Sequence, residues 1–320
     1  MRHHRSYIHT LLTPLFALAA STALCQNYPT KPVRLVTGGA GGGNDVASRL
    51  LAPDFSVSLN QPVIIDNRSN SVVPGQILSM APPDGYTLLL YNNGLWTLPL
   101  LQDVPYDMAR DFLPISAVAS SPNIMVVNPS VAAKTVRELI ALAKAKPGEL
   151  NYASSGNGAT NHLAAELFKS MAGVNIVRVA YKNAALITTD LIGGQVQLSF
   201  STAGSSSPHV KSGKLRALAV TSAHPSALFP GMPTVAASGL PGYETASIQG
   251  VFAPARTSAT IINRLNQDLV RVLGRPELKE KFLAAAVEAG GSSAQQFGAT
   301  VKSEMERLGK LIKTAGIRAE

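Results

Sequence analysis

Between Val33 and Leu51 the chain reads VRLVTGGAGGGNDVASRLL. A mainly apolar strand pattern comes first, a run of glycines follows, and apolar residues at 46, 50 and 51 then mark one face of a helix. Glycines let the backbone approach a ligand closely, and the first amides of a helix have no partners within it. The segment therefore predicts a site for a carboxylate or phosphate, with a flexible turn as the alternative interpretation. The candidate residues are Gly41, Gly42, Gly43, Asn44 and Asp45.

Strand and helix patterns alternate after this segment, which predicts an α/β fold with a largely parallel sheet. Further strand patterns occur at residues 63–65, 87–91, 124–127, 177–179, 196–200, 215–220 and 248–253. The short apolar runs of strands are separated by longer helical patterns, so consecutive strands are expected to be joined by helices.

Helix ends are marked by capping residues. Thr135 and Glu138 have the spacing of a capping box, and so do Ser293 and Gln296. A helix over residues 163–171 is expected to end at Gly173. The tail over residues 258–316 is almost wholly helical in pattern, with breaks at Pro276 and at residues 290–291.

The helical tail is too polar on its outer faces to form a core of its own, so it is expected to pack on an earlier sheet. The natural crossing points between two lobes are residues 121–123 and 242–250. This predicts a discontinuous first lobe, residues 26–123 and 248–320, and a continuous second lobe, residues 124–247. Two crossings between two lobes form a hinge.

A second loop, ASSGNGAT at residues 153–160, also lies between a strand pattern and a helix pattern. The hydroxyls of Ser154, Ser155 and Thr160 and the amides of residues 156–159 suit an anion. If this loop belongs to the second lobe, two helix N-termini face each other across the cleft. Such an arrangement would hold a small acid from both sides.

The first 25 residues are typical of a secretory signal peptide. Residues 11–24 are apolar or small, they follow Arg2 and Arg5, and they are too few to span a bilayer. The mature chain is therefore expected to begin between Ala23 and Gln26 and to be periplasmic. Cys25, the only cysteine, is either removed with the leader, an inert terminal thiol, or a lipid anchor. The folded body then has no disulfide and no thiolate site.

Composition excludes several classes of protein. With 46% hydrophobic and 15% charged residues the chain is not disordered. Removing Arg2 and Arg5 with the leader lowers the formal charge from +9 to +7, and the remaining basic residues form no stripe interleaved with aromatics. Nucleic acid is therefore not an expected partner. No histidine and carboxylate spacing predicts a metal site, and no cofactor is expected.

Two enzyme-like interpretations are weak. A dinucleotide site would match Gly39 and Gly41, but Asn44 stands where a third glycine is needed. Pro53 is also expected to kink or end the first helix early, because proline costs about 3 kcal/mol inside a helix. His162 lies just beyond Ser154 and Ser155, but no nucleophile-elbow motif is present to support a hydrolase.

Several ordered motifs resemble one family, the Bug receptors, which are the exported solute-binding proteins of tripartite tricarboxylate transporters. They are YPTKPVRLV at 28–36, the glycine loop ending at Asp45, QPV at 61–63, DNR at 66–68, PDGYT at 83–87, NYASSGNG at 151–158, GGQVQ at 193–197, GKLRALAVT at 213–221 and PTV at 233–235. The resemblance covers nearly the whole mature chain. It implies a two-lobed periplasmic binding protein of type II-like architecture, without enzymatic activity, that closes on a carboxylated solute.

The resemblance also implies where the ligand binds. Beyond the first glycine loop, the implied contacts are Asn92, Asn93, Gly94, Ser154, Ser155, Asn157, Gly158, Ala159, Thr160, Tyr181, Asn183, Ala184 and Ser201. The implied partners are a small organic acid, such as a di- or tricarboxylate, and membrane transporter subunits or a sensor. A monomer is expected, since no apolar stretch of spanning length remains after the leader.

The chain departs from the family pattern in places that bear on the ligand. Gly39-Ala40 stand where relatives have paired prolines, and residues 69–75 (SNSVVPG) differ from the family's glycine-rich loop. Ser201-Thr202 stand where many relatives carry an aspartate that holds an amino group. The last departure favours a plain acid over an amino acid. The alternatives are an exported serine-type hydrolase, or a receptor-like sensor protein that has lost solute binding.

Overall fold

The computed structural model describes residues 28–155, 158–181 and 184–317, so the predicted leader lies outside the described residues. The strands are β1 Val33–Thr37, β2 Val63–Asn67, β3 Thr87–Asn92, β4 Phe112–Val127, β5 Asn151–Ser154, β6 Val177–Ala180, β7 Leu198–Thr202, β8 Arg216–Val220, β9 Ala246–Pro254 and β10 Glu288–Ala289. The helices are α1 Gly43–Leu59, α2 Val73–Ser79, α3 Gly94–Thr97, α4 Met108–Asp111, α5 Val136–Ala145, α6 Thr160–Ala172, α7 Ala184–Ile192, α8 Ala203–Lys211, α9 Ala259–Leu273, α10 Pro276–Ala284 and α11 Ala294–Ala315. None of the described helices is long and apolar enough to cross a membrane.

The strands pair in the order β2-β1-β3-β9-β4-β7-β5-β6, with β8 and β10 also paired to β4. The pairs β1–β2, β1–β3, β5–β6 and β5–β7 are parallel. At the centre, however, β9 is antiparallel to both β3 and β4, and β4 is antiparallel to β7 and β8. The prediction of a largely parallel sheet is therefore wrong at the centre, because β4 and β9 run past each other in opposite directions.

Strand β4 runs through both lobes. Its residues 112–122 pair with β9, and its residues 123–127 pair with β7 and β8. The partners change between Pro122 and Asn123, so one strand of 16 residues passes from the first lobe into the second. We call the part built on β1, β2, β3 and β9 the first lobe, and the part built on β5, β6, β7 and β8 the second lobe.

Each lobe has its own apolar core. In the first lobe, Leu51 and Phe55 of α1 pack beneath the sheet with Leu265 of α9. In the second, Phe168 of α6 packs against Phe200 and Tyr243. Burial of large apolar side chains on one face of each helix is what holds the helices on the sheets.

The C-terminal helix α11 contacts both cores. Near its start, Phe297 and Val301 pack with Trp96 in the first lobe. Near its end, Leu308, Leu311 and Ile312 belong to the second-lobe core. The helix therefore forms a connection between the lobes in addition to β4 and the segment leading into β9.

Most predicted helix ends are confirmed. Gly173 closes α6 in the left-handed conformation, and the capping box at the start of α11 is reciprocal. At α5 only half of the box forms, because the Glu138 carboxylate accepts from the Lys134 amide instead of the Thr135 amide. The tail is not wholly helical, since β10 separates α10 from α11.

Helix α1 continues past Pro53 to Leu59, so of the two sequence expectations, a kink or an early end, the early end is wrong. Pro53 is exposed, so water can solvate the carbonyl group that proline leaves without a donor. Leu51 and Phe55, on either side, are fully buried. Their packing holds the helix together across the proline.

Candidate functional site

The first glycine loop is held by a carboxylate of its own helix. Asp45 is buried, and its Oδ2 accepts the Gly41 amide at 2.8 Å while its Oδ1 accepts Asn67 Nδ2 at 2.8 Å. Burial by itself raises the pKa of Asp45, but hydrogen bonds from Arg49 and Gly41 more than offset this and hold the pKa below its usual value. Asp45 is therefore an ionised group that fixes the loop from within.

The loop geometry leaves the start of α1 open. The Gly42 amide donates to the Gly39 carbonyl at 3.1 Å, and Gly41 takes a φ of 78° that favours glycine. By contrast, the amides of Gly43, Asn44 and Asp45 donate to no acceptor within the described residues. Open amides at a helix N-terminus, reinforced by the helix dipole, form an anion site.

Gln249 of β9 lies beside this helix start. Its Nε2 donates to Asn44 Oδ1 at 3.3 Å, and its Oε1 is buried without a partner among the described residues. Gln249 was not predicted as a site residue, because residues 248–253 have the pattern of an apolar strand. A polar residue within that run was the only signal available.

The end of β3 supplies a second turn in the first lobe. Asn92 Oδ1 accepts the Gly94 amide at 3.1 Å, and Asn93 Nδ2 donates to the Ala246 carbonyl at 3.1 Å. Asn93 is buried, and its Oδ1 has no partner among the described residues. The turn thus links the predicted ligand loop to the segment that leads into β9.

In the second lobe, Ser154 is fully buried and faces inward. Its Oγ accepts Arg178 Nε at 2.8 Å and donates to the Ser155 carbonyl at 3.2 Å. Arg178 Nη2 also donates to the Ser155 carbonyl at 2.8 Å. Ser154 therefore stabilises the start of the loop that follows β5 from within the lobe. Arg178 was missed at the sequence level because it lies on a neighbouring strand.

The loop itself is tied to the start of α6. The Ser155 amide donates to Asn161 Oδ1 at 3.2 Å, and Asn161 Nδ2 donates to Ser155 Oγ at 3.1 Å. The Gly158 amide donates to His162 Nδ1 at 3.2 Å. Asn157 lies outside the described residues.

His162 is a structural acceptor. Burial, followed by the nearby positive charge of Arg178, lowers its pKa from 6.5 to about 4, so it is neutral at physiological pH. A neutral ring leaves Nδ1 free to accept the Gly158 amide. No hydrogen bond joins His162 to Ser154 or Ser155 in the described part of the chain. In these bonds His162 does not form the nucleophile–base pair with either serine that a serine hydrolase requires.

The start of α6 lines a cavity of about 120 Å³ in the second lobe, with several hydroxyl side chains around it. The side chains around it come from the N-terminal ends of α6 and α8 and from α7; they are Ser155, Ala159, Thr160, Asn161, Ile187, Thr188, Ser201, Thr202 and Ser205. The amides of Thr160 and Asn161 have no acceptor within the described residues. Ser201, at the end of β7, therefore shares a cavity with open helix amides.

Tyr181 lies at the end of β6 next to this region. Its hydroxyl donates to Asp190 Oδ2 at 2.7 Å, and burial together with that bond raises the pKa of Tyr181 to about 12. Its hydroxyl is thus engaged within the second lobe. Ala184 begins α7, and Asn183 lies outside the described residues.

The two lobes meet at a small void of about 20 Å³, the size of one water molecule. Asn93 of the first lobe and Thr160 of the second both line it, together with Leu163, Thr245, Ala246, Glu304, Arg307 and Leu308. Nearby, Gly158 faces Leu101 so closely that a β-carbon at 158 would overlap that side chain. The structure thus brings the Asn92–Gly94 turn next to the start of α6.

Comparisons with known proteins agree with this architecture. Residues 47–317 match the family model described as tripartite tricarboxylate transporter family receptor. Protein BugT of Bordetella pertussis is 31% identical, over 93% of this chain and 94% of that protein. A solved structure described as R. palustris Rpa4515 with adipate is 37% identical, has a TM-score of 0.72, and covers 91% of this chain and 99% of its own. A TctC solute-binding protein from Polaromonas, solved without ligand, is 25% identical with a TM-score of 0.83, over 90% of this chain and 99% of its own.

Proposed function

Because this chain belongs to the family of tripartite tricarboxylate transporter receptors, a family of receptors and not of enzymes, we propose that it captures a small carboxylate between its two lobes. The solute is then passed to membrane transporter subunits or reported to a sensor. The similar protein solved with adipate supports a dicarboxylate as the ligand class.

The open amides at the starts of α1 and α6 carry the proposal. Asp45 accepts a hydrogen bond from the Gly41 amide. Asn161 accepts one from the Ser155 amide, and His162 accepts one from the Gly158 amide. Gly41, Ser155 and Gly158 are therefore held in place before any ligand arrives, and the next amides along each helix have no acceptor among the described residues. Preorganised donors lose little entropy on binding. One helix start per lobe suits one carboxylate at each end of a diacid.

The two-lobed arrangement supports closure around the ligand. We place the lobe boundaries at 123/124 and 247/248, next to the point where the partners of β4 change. The leader over residues 1–25 directs the protein to the periplasm in this proposal, where it acts as a monomer.

A melting panel tests the proposal. Succinate, glutarate and adipate are added to the purified protein, with acetate and sulfate as controls for a single charge and for a general anion effect. A ligand at about one hundred times its dissociation constant adds roughly 2.7 kcal/mol of stability, which raises the melting temperature measurably. We expect at least one diacid to do this at one ligand per chain and to be recovered unchanged. Stabilisation by no carboxylate, or consumption of the ligand, contradicts the proposal.

A further inference from the structure

Glu304 is a buried carboxyl group at the point where α11 passes from one lobe to the other. One turn before it, Val301 packs in the first-lobe core, and one turn after it, Leu308 packs in the second. Only 6% of Glu304 is exposed. A buried carboxyl group is unusual and needs partners.

Its partners connect it to the predicted ligand loop. Trp96 Nε1 donates to Glu304 Oε2 at 2.9 Å in a fully buried hydrogen bond. Trp96 belongs to the short helix α3 that follows the loop, and its backbone amide donates to the Asn93 carbonyl at 3.2 Å. Glu304 is thus linked through one side chain to the turn that carries Asn93.

Arg307, one turn along the same helix, provides the nearest positive charge. Its Nη2 lies 3.5 Å from Glu304 Oε1, and its Nη1 bonds the backbone carbonyl of Glu244, in the segment leading into β9. Glu304 also lines the void shared by Asn93 and Thr160. The carboxyl group therefore lies where both ligand loops and a lobe crossing meet.

The charges around Glu304 are few. Burial, aided by the negative charge of Glu244, raises its pKa to about 7, although Trp96 and Arg307 act in the opposite direction. From α6, Thr160 and Leu163 face the void, and neither titrates. The buried His162 on that helix has a pKa of about 4, so it stays neutral across this range. Glu304 is therefore the group in this cluster that changes charge near neutral pH.

We propose that Glu304 is a positioning residue for the ligand loop and that it takes up a proton when a carboxylate binds in the cleft. The ligand-linked half of this proposal rests on the proposed function. A neutral carboxyl group still accepts from Trp96 through its carbonyl oxygen, so the loop keeps its support. An incoming anion next to the void disfavours the negative charge, so binding and protonation reinforce each other.

The ligand-free protein provides the first test. Trp96 is the only tryptophan in the chain, so tryptophan fluorescence reports on the surroundings of this one side chain, which include Glu304. We expect its emission to titrate with a midpoint near neutral pH in wild type and in Glu306→Gln, an exposed neighbour on the same helix. The titration should be absent in Glu304→Gln. A flat wild-type curve, or a titration that persists in Glu304→Gln, overturns the proposal without involving any ligand.

Calorimetry provides the second test, with adipate as the probe and pH kept above the range in which its own carboxyl groups ionise. Titrations in buffers of different ionisation enthalpy measure the protons taken up. We expect about half a proton per adipate near pH 7.5 in wild type and Glu306→Gln, and affinity about sixfold higher at pH 6.5 than at pH 8.5. Glu304→Gln should bind tightly with no proton uptake at any pH.

The outcomes separate the two proposals. If adipate does not bind but the fluorescence titration is present, the choice of ligand has failed, and the assay is repeated with the diacid that stabilises the protein most. If a diacid binds without proton uptake in wild type, the proton-linked role of Glu304 is wrong and the proposed function stands.

Discussion

At the scale of single residues, the two candidate loops share one device. Asp45 in the first lobe and Asn161 in the second each turn a side-chain oxygen back to accept an amide of the loop just before their own helix. The amide used in this way is lost to a ligand. The following helix amides, however, are held in a fixed position, and fixed donors bind an anion better than mobile ones.

We predict that Gly42→Val weakens diacid binding by tenfold or more. A β-carbon at 42 lies 3.1 Å from the Gly39 carbonyl oxygen, and its branches stand beside the open amides of α1. A hydrogen bond to a charged group is worth about 1.5–3 kcal/mol, so losing one or two is a large effect. The φ of Gly42 is −77°, which valine accepts, so circular dichroism and ligand-free melting should change little.

Ser155→Ala is the matched control on the opposite lobe. It removes one hydroxyl but leaves the hydrogen bond from the Ser155 backbone amide to Asn161 Oδ1, so its effect on affinity should be smaller. Wild-type affinity in a folded Gly42→Val would mean that the first loop is a spacer and that the site lies elsewhere.

Ser201 tests the choice between acids and amino acids. It offers a hydroxyl and no fixed negative charge at the second-lobe cavity, so glutarate and succinate should outrank glutamate and aspartate. Ser201→Asp should reverse the order, because a carboxylate pairs with an ammonium group. Competition calorimetry with these matched pairs measures both orders. A wild-type preference for the amino acids would refute the role given to this residue.

At the scale of elements, the start of α6 depends on a neutral histidine. His162 has a pKa of about 4 in the folded protein against 6.5 when free. Between these values the unfolded chain binds a proton that the folded chain does not, so stability falls as pH drops from 6.5 towards 4. The full stabilisation is present above pH 6.5, and the loss is up to about 3 kcal/mol.

We therefore predict that His162→Asn, which keeps an acceptor for the Gly158 amide, flattens the pH dependence of unfolding in this window. Denaturant melts at pH 4.5, 5.5 and 7 measure it. His224→Asn, at an exposed histidine, serves as the control and should keep the wild-type slope. An unchanged slope in His162→Asn would show that other groups cause the acid sensitivity.

Some of the helices and strands could be predicted from the sequence, and others could not. Local signals predicted β1, the α6 stop at Gly173 and the capping box of α11, because each depends on residues a few positions apart. Gln249, Arg178 and Glu304 were missed because their roles depend on partners far away in sequence. The run of β4 through both lobes was also missed, since only its end reads as an apolar strand.

At the scale of the whole molecule, the lobes contact each other through Gly158 and Leu101. Gly158 has a φ of 74°, and a β-carbon there would overlap the Leu101 side chain. A non-glycine residue in this conformation costs about 1–2 kcal/mol, apart from any overlap. A β-carbon at 158 would therefore displace the end of the Leu101 side chain, and the positive φ adds a cost of its own.

Gly158→Ala should lower the melting temperature, because a positive φ disfavours alanine and the Leu101 side chain must move. In a Leu101→Ala background the same substitution should cost less, since the overlap is already relieved. If Gly158→Ala keeps the wild-type melting temperature, the contact between the lobes does not depend on this glycine.

Amide chemical shifts, measured while a diacid is titrated into the labelled protein, show directly whether backbone amides at the starts of two helices, one in each lobe, hold the carboxylates. The amide protons of Gly43 and Asn44, and those of Thr160 and Asn161, should move downfield together and saturate at one adipate per chain. If adipate binds while these four signals stay in place and amides elsewhere move, the ligand is not held by the helix starts and the account is wrong.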